Sequence, residues 1–319
     1  MRRQPQQAVV SPSGLAAGSR RIDTALREQQ RLLRTAAARL ELASGSDVHH
    51  GRIAARRMRS LLRSFRPLLD VRRARLMRAE LRSFARALAA VREADVRRDL
   101  LLALARRDPE VAPGDFQRLS LMLEDLCLEA RASLRRHVAE PGWDALGAAI
   151  LGDTAADSLL VRRDAGLDRL LRAVDKSWRE AVQLLESEPT QAAELHALRL
   201  RLKHCRYALE PVADVRPEEA ARLLRRLRAA QDLIGEHRDT LLAEHWVRLN
   251  NRSLGGHLSR RLLRLLKRHE QTLRKQAARQ AGKVLPAYRQ WRKAIRPLRK
   301  ARTTGRASRG RARPSSARS

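Results

Sequence analysis

One basic helical pattern occurs twice in the chain, about 147 residues apart. The first copy reads HHGRIAARRMR from His49 to Arg59, and the second reads HALRLRLKHCRY from His196 to Tyr207. Superposed, His49 falls on His196, Arg52 on Arg199, Arg56 on Lys203 and Arg59 on Arg206. Some 43 residues further on, each copy is followed by a second match, AAVREADV at 89–96 and GEHRDTLL at 235–242. Such a chain is constrained to fold as two related halves. A cationic helix present in both predicts that the halves face one shared anion.

Helices are expected nearly throughout. Ala, Leu, Arg and Glu dominate, aromatic residues make up 3%, and strand-like runs of Val, Ile, Thr and Tyr are absent, a balance that favours helix. With 43% hydrophobic residues in 319, the chain can bury a core and is no mere disordered polycation. Helical periodicity runs from about 22 to 42, where ASGSD interrupts it. Ser46 or Asp47 is the expected N-cap of the first motif helix, which continues to Arg66 before Pro67. Helices over 71–90 and 94–107, a loop at 108–115, and helices over 116–138, 143–152 and 155–187 follow. The second motif helix occupies 190–210, and helices over 217–234, 238–250, 256–281 and 285–295 complete the pattern. This gives an all-α domain over 18–295 with halves of about 18–152 and 153–295. Residues 1–17 are Gln, Pro, Ser and Gly rich, and 296–319 are Arg-rich without an acid, so both ends are expected to be disordered.

At ~100° per residue, Arg52, Arg56, Arg59, Arg63 and Arg66 share an arc of ~80°. His49 lies at its edge, with Ile53, Met58, Leu61, Phe65 and Leu69 opposite as a core face. The stripe extends ~21 Å, and no carboxylate between His49 and Pro67 relieves its repulsion, as i,i+4 acids usually do on a solvated face. His196, Arg199, Lys203 and Arg206 repeat the pattern, and there the basic run stops at Glu210. Arg75, Arg78, Arg82 and Arg86 form a further stripe on the next helix, with Arg222, Arg225 and Arg226 as the counterpart. These either widen the basic surface or are simply solvated.

The formal charge of +33, from 68 basic and 35 acidic residues, destabilises the compact state and attracts polyanions. The planar guanidinium matches phosphate oxygens with paired donors. Cys127 and Cys205 have no CxxC partner and read as buried thiols of a reducing compartment. No run of eighteen apolar residues and no hydrophobic leader is present, so a cytoplasmic protein without membrane contact is expected.

HxxRIxxRRMR followed by VREADV, and HxxRLxxKHCRYxLE followed by IGEHRDT, resemble the two halves of a CHAD domain, over roughly residues 18–290. The resemblance implies two pseudo-symmetric four-helix bundles with a basic groove or cavity between them that binds inorganic polyphosphate, with association to polyphosphate granules. Carried over by position, the implied contacts are His49, Arg52, Arg56, Arg59, His196, Arg199, Lys203 and Arg206; Arg63 continues the same stripe. Three positions depart from the family pattern. His204 stands where Lys or Arg often follows the lysine, which predicts a pH-dependent charge there. Glu93 replaces the more usual Asp, and Ala89 stands where the second half has Gly235. Glu93, Asp95 and Asp239 are expected to orient stripe residues from behind.

A linear polyanion offers no base to read, so its recognition needs a dense array of fork-like donors and should be salt-dependent through counterion release. No Walker loop, HExxH, GxSxG or paired-carboxylate motif is present. Neither an enzyme, a metal site nor a cofactor is therefore expected. The rival reading is a nucleic-acid-binding or nucleoid-associated protein, carried by the net charge and the tail, which could bind nucleic acid nonspecifically. Against it stand the scarce aromatics. A scaffold that oligomerises through its Leu/Ala faces is a third reading.

Overall fold

The computed structural model describes residues 17–40, 44–140, 143, 159 and 165–300, and among them every regular element is a helix. The first half supplies α1 (Ala17–Ala37), α2 (Gly45–Ser64), α3 (Val71–Ala87), α4 (Ala89–Arg106) and α5 (Pro113–Val138). The second supplies α6 (Leu167–Glu186), α7 (Ala192–Leu209), α8 (Pro217–Leu249), the single turn α9 (Asn251–Leu254), α10 (Gly256–Ala281) and α11 (Val284–Lys300). The two motif helices are α2 and α7. Each runs into a 3₁₀ turn with a proline near its start, Arg66–Leu68 and Glu210–Val215, because proline lacks the N–H that would extend the helix.

The ends of several elements differ from expectation for identifiable reasons. Ser44, not Ser46 or Asp47, caps α2, its hydroxyl accepting from the Asp47 N–H at 3.2 Å. Asp47 is instead the partner of the cap, accepting from the Ser44 hydroxyl at 2.6 Å. The break expected between 90 and 94 is absent: α4 begins at Ala89 and carries the whole of AAVREADV in regular helix. GEHRDTLL likewise lies inside α8, which runs unbroken through Gly235 for 33 residues. The last helix extends past 295 to Lys300. The helix expected over 143–152 falls, apart from Trp143, outside the described residues, as do 1–16 and 301–319 of the terminal segments.

The apolar core divides across the halves, not between them. A larger cluster joins α1, α2 and α3 to α6, α7, α11 and the first part of α8. Trp178 and Trp291 are wholly buried in it, and Tyr288 stacks on Trp178 at 4.0 Å while its hydroxyl donates to Asp175 at 2.6 Å. A smaller cluster joins the far ends of α4 and α5, at Leu101 and Leu119, to Val247 of α8, Leu254 and Leu262. Between the two clusters, α4 and α8 carry polar residues on their inner faces. At this level α2 packs on α7 and α4 on α8, so four helices, two from each half, enclose a polar interior.

Candidate functional site

That interior is a cavity of about 450 Å³. Its walls are His49, Arg52, Ile53 and Arg56 from α2, and Arg199, Lys203, Arg206 and Tyr207 from α7. Arg92, Glu93, Val96 and Arg97 of α4, with Gln231, Asp232, Gly235, Glu236, Arg238, Asp239 and Leu242 of α8, complete it. The two copies of the repeated pattern thus meet across one space. Arg56 is the meeting point: it acts electrostatically on His49 and Arg52 of its own helix and on Arg199 and Lys203 of the other.

Local packing aims these side chains. Arg52 donates to the Leu88 carbonyl at 3.2 Å, which fixes its guanidinium at the junction of α3 and α4. Arg199 lies against the bare backbone of Gly235, where an added Cβ would stand 2.9 Å from Nη2. Gly235 is therefore the place where an arginine passes close to a helix, not a break in that helix. Tyr207 is held under two cations, Arg206 at 4.8 Å and Arg57 at 5.7 Å from its ring centroid.

Several donors of the wall have no hydrogen-bond partner among the described residues. The Nε atoms of Arg97, Arg199 and Arg206 are buried without a hydrogen-bond partner. Gln231 is 3% exposed, and neither atom of its side-chain amide is paired. A buried polar group left unpaired is costly, so these donors suit a ligand rich in acceptors.

Its electrostatics say the same. Burial, then Arg56, Arg199 and Arg206, push the Lys203 ammonium from 10.5 down to about 6, with Asp239 opposing. Burial lowers Arg52 and Arg199 as well. His49 is lowered by burial and then by Arg92, His50, Arg56 and Arg52. Burial raises the Asp239 carboxyl despite Arg199 and Arg238 nearby. Seven arginines and Lys203 face four carboxylates on these walls, so cations remain in excess even where Lys203 is neutral.

The expected site residues do not all reach the cavity. Arg59 and Arg63 lie outside it on the side toward α3, where Arg59 neighbours Arg78, Arg82 and Arg86 and Arg63 is exposed. His196 faces a separate small pocket with Ala192, Ile234 and His237, behind Arg238. Glu93 and Asp239 do stand among the stripe cations, beside Arg52 and Arg199 respectively. Asp95 does not: its carboxylate turns away to accept from Arg131 of α5 at 2.7 Å and approaches Gly45 at the start of α2. It ties α4 to α5 without orienting any stripe residue. Asp95→Ala is expected to destabilise the fold by on the order of 2 kcal/mol, read as a lower Tm, with anion affinity kept in the folded protein.

Two further expectations are corrected. Ile53 lines the cavity instead of the core. His204 supplies no titrating charge near neutrality, because burial and then Arg63, Arg201 and Arg78 hold it at about 4. Its ring instead bonds Ser60 Oγ at 2.7 Å, tying α7 to α2. Sequence reasoning also passed over Arg92 and Arg238. Both sit at the same place in the two signature matches, and that correspondence could have revealed them. Nothing in the sequence marks Arg97 or Gln231. Among the described residues, no group of three His, Cys, Asp or Glu side chains could hold a metal ion, and no helix is long and apolar enough to cross a membrane.

A family model described as the CHAD domain matches residues 24–248, a stretch that contains all four cavity walls. No curated protein sequence matches the chain. PptA from Streptomyces chartreusis is similar in structure with a TM-score of 0.67 at 20% identity, over 85% of this chain and 99% of that one. The crystal structure of the CHAD domain from the plant Ricinus communis is similar with a TM-score of 0.66 at 18% identity, over 86% of this chain and 94% of that one. At these identities the likeness is one of fold.

Proposed function

The chain belongs to the CHAD domain family, which is associated with polyphosphate and triphosphate binding, and from that premise we propose that it binds inorganic polyphosphate in the cavity between α2, α4, α7 and α8. One observation carries this reading. Arginines from both halves converge on one cleft, several with buried guanidinium nitrogens that have no hydrogen-bond partner among the described residues. A phosphate polymer supplies closely spaced acceptors with delocalised negative charge, which suits an array of guanidinium forks. Glu93 and Asp239 act electrostatically on two of those forks, Arg52 and Arg199. Binding without turnover is part of the proposal, since no sequence motif pairs a nucleophile with a base. Granule association would follow wherever the polymer accumulates.

The rival ligand, nucleic acid, has a weaker claim on the cavity. Bases bind nonspecifically by stacking on aromatic faces, and the aromatic ring on these walls, Tyr207, is already covered by Arg206 and Arg57. The deciding experiment is competition of long-chain polyphosphate against duplex DNA at equal phosphate concentration and ~0.15 M salt, where exposed charges are largely screened. It is run on the full chain and on a version ending at Lys300. Preference for polyphosphate by both supports the proposal. Equal or better binding of DNA by the shorter version overturns it.

Gly235 provides a sharper test. Gly235→Ala gains about 1 kcal/mol of helix propensity but places a Cβ against Arg199. The expected variant is at least as heat-stable as the parent yet binds polyphosphate several-fold more weakly. Weakened binding without loss of Tm would separate a displaced guanidinium from a damaged fold.

A further inference from the structure

The cations of α2 do not stop at the cavity. Arg59, Arg63 and Arg66 continue along the helix, and across the turn α3 presents Arg75, Arg78, Arg82 and Arg86 at helical spacing. The two rows meet: Arg59 lies in the field of Arg82, Arg78 and Arg86, and Arg78 in that of Arg63, Arg82 and Arg66. Among the described residues none of these seven arginines forms an ion pair. Elsewhere on the surface arginines do, as in Arg27 with Asp23, Arg172 with Asp168 and Arg248 with Glu244. The Nε atoms of Arg59 and Arg78 are buried and unpartnered, like those of the cavity. A solvated basic face is normally relieved by carboxylates one turn away; this one is not.

The second half differs: the counterpart row on α8 is Arg222, Arg225 and Arg226, of which Arg222 donates to Gln290 at 3.2 Å. The α7 stripe ends at Glu210, whose carboxylate lies 3.8 Å from Arg206 and 3.5 Å from Arg57. The cationic path out of the cavity therefore runs one way, past Arg56 and along the α2–α3 surface, for ~21 Å from Arg52 to Arg66 at the helical rise.

We propose that this surface is an exterior track for the same polymer: a polyphosphate chain longer than the cavity leaves past Arg56 and lies between α2 and α3. The inference rests on the cavity reading and adds length selection to it. Short phosphates fill the cavity alone, whereas long chains gain the seven exterior guanidiniums.

The test uses the full chain and compares tripolyphosphate with long-chain polyphosphate. In R78A/R82A/R86A, affinity for the long chain is expected to fall at least tenfold. Its log–log salt slope should become shallower by about two, three lost contacts at ~0.7 each. Tripolyphosphate affinity should be unchanged. R63A/R66A, which alters two exposed residues only, is expected to act in the same direction and guards against a folding defect in the triple variant. Unchanged long-chain affinity, or an equal loss for tripolyphosphate, overturns the track. Loss of duplex DNA binding alone would make the surface a nucleic-acid contact and also overturn it. If the parent chain binds neither phosphate, the cavity reading itself fails, an outcome distinct from all of these.

Discussion

Arg56→Glu is expected to abolish polyphosphate binding at moderate salt, with an affinity loss of roughly 100-fold or more. A single charge-assisted hydrogen bond contributes ~1.5–3 kcal/mol, and reversal adds repulsion at the point where the two motif helices meet. Arg56 acts on Arg52, Arg199 and Lys203, so the new carboxylate would also draw their donors away from the ligand. The same change relieves like-charge repulsion in the empty protein. The variant's Tm without polyanion is therefore expected to hold or rise, and this keeps lost binding from being mistaken for unfolding. Arg199→Glu should act in the same way from the opposite wall. Titration calorimetry on both variants provides the check, and affinity within a few-fold of the parent in either would place the ligand elsewhere.

Affinity is also expected to rise as pH falls from about 9 toward 6. In the empty protein Lys203 titrates at about 6 against an ordinary 10.5. Between those values the unfolded chain holds the extra proton, so this group alone makes the empty fold more stable as pH rises. A phosphate beside the ammonium favours its charged form and raises the pKa. Binding therefore takes up a proton above pH 6, strengthens by up to one decade per pH unit as pH falls, and levels off below about 6. The groups that face Lys203 are Arg56 from α2, Arg199 and Arg206 from its own helix, and Asp239 from α8. His49 and His196, both held below their ordinary value, add to the rise only at the acid end. Affinities measured from pH 6 to 9 at constant ionic strength should show this slope, and Lys203→Arg should flatten it. A flat profile in the parent would show that Lys203 is already charged before the polymer binds, and a slope of the opposite sign would overturn proton uptake altogether.

The all-helical fold and the two motif helices were legible because their evidence is periodic. Stripes such as Arg52, Arg56 and Arg59 declare a face from spacing alone. What spacing does not declare is where along a face the neighbouring helix stops. Arg56 and Arg59 share an arc, yet α7 and α8 close over the first and α3 lies beside the second. His204 was expected to carry a pH-dependent charge beside Lys203, but its ring is buried against α2 and bonds Ser60, 144 residues away in sequence. Arg92 was hidden in the break expected at 91–93, and Arg238 at the expected start of the helix over 238–250. Gly235 contributed to that reading, because a glycine that breaks a helix and one that admits a guanidinium are the same letter.

Both apolar clusters draw side chains from the two halves, and the cavity lies between them. Neither repeat can therefore be an autonomous unit of folding: alone, each would expose half of a shared interior and half of a shared site. Two stretches alike in sequence are often interchangeable; here each half supplies walls that the other lacks, so damage to either one removes part of the same cavity.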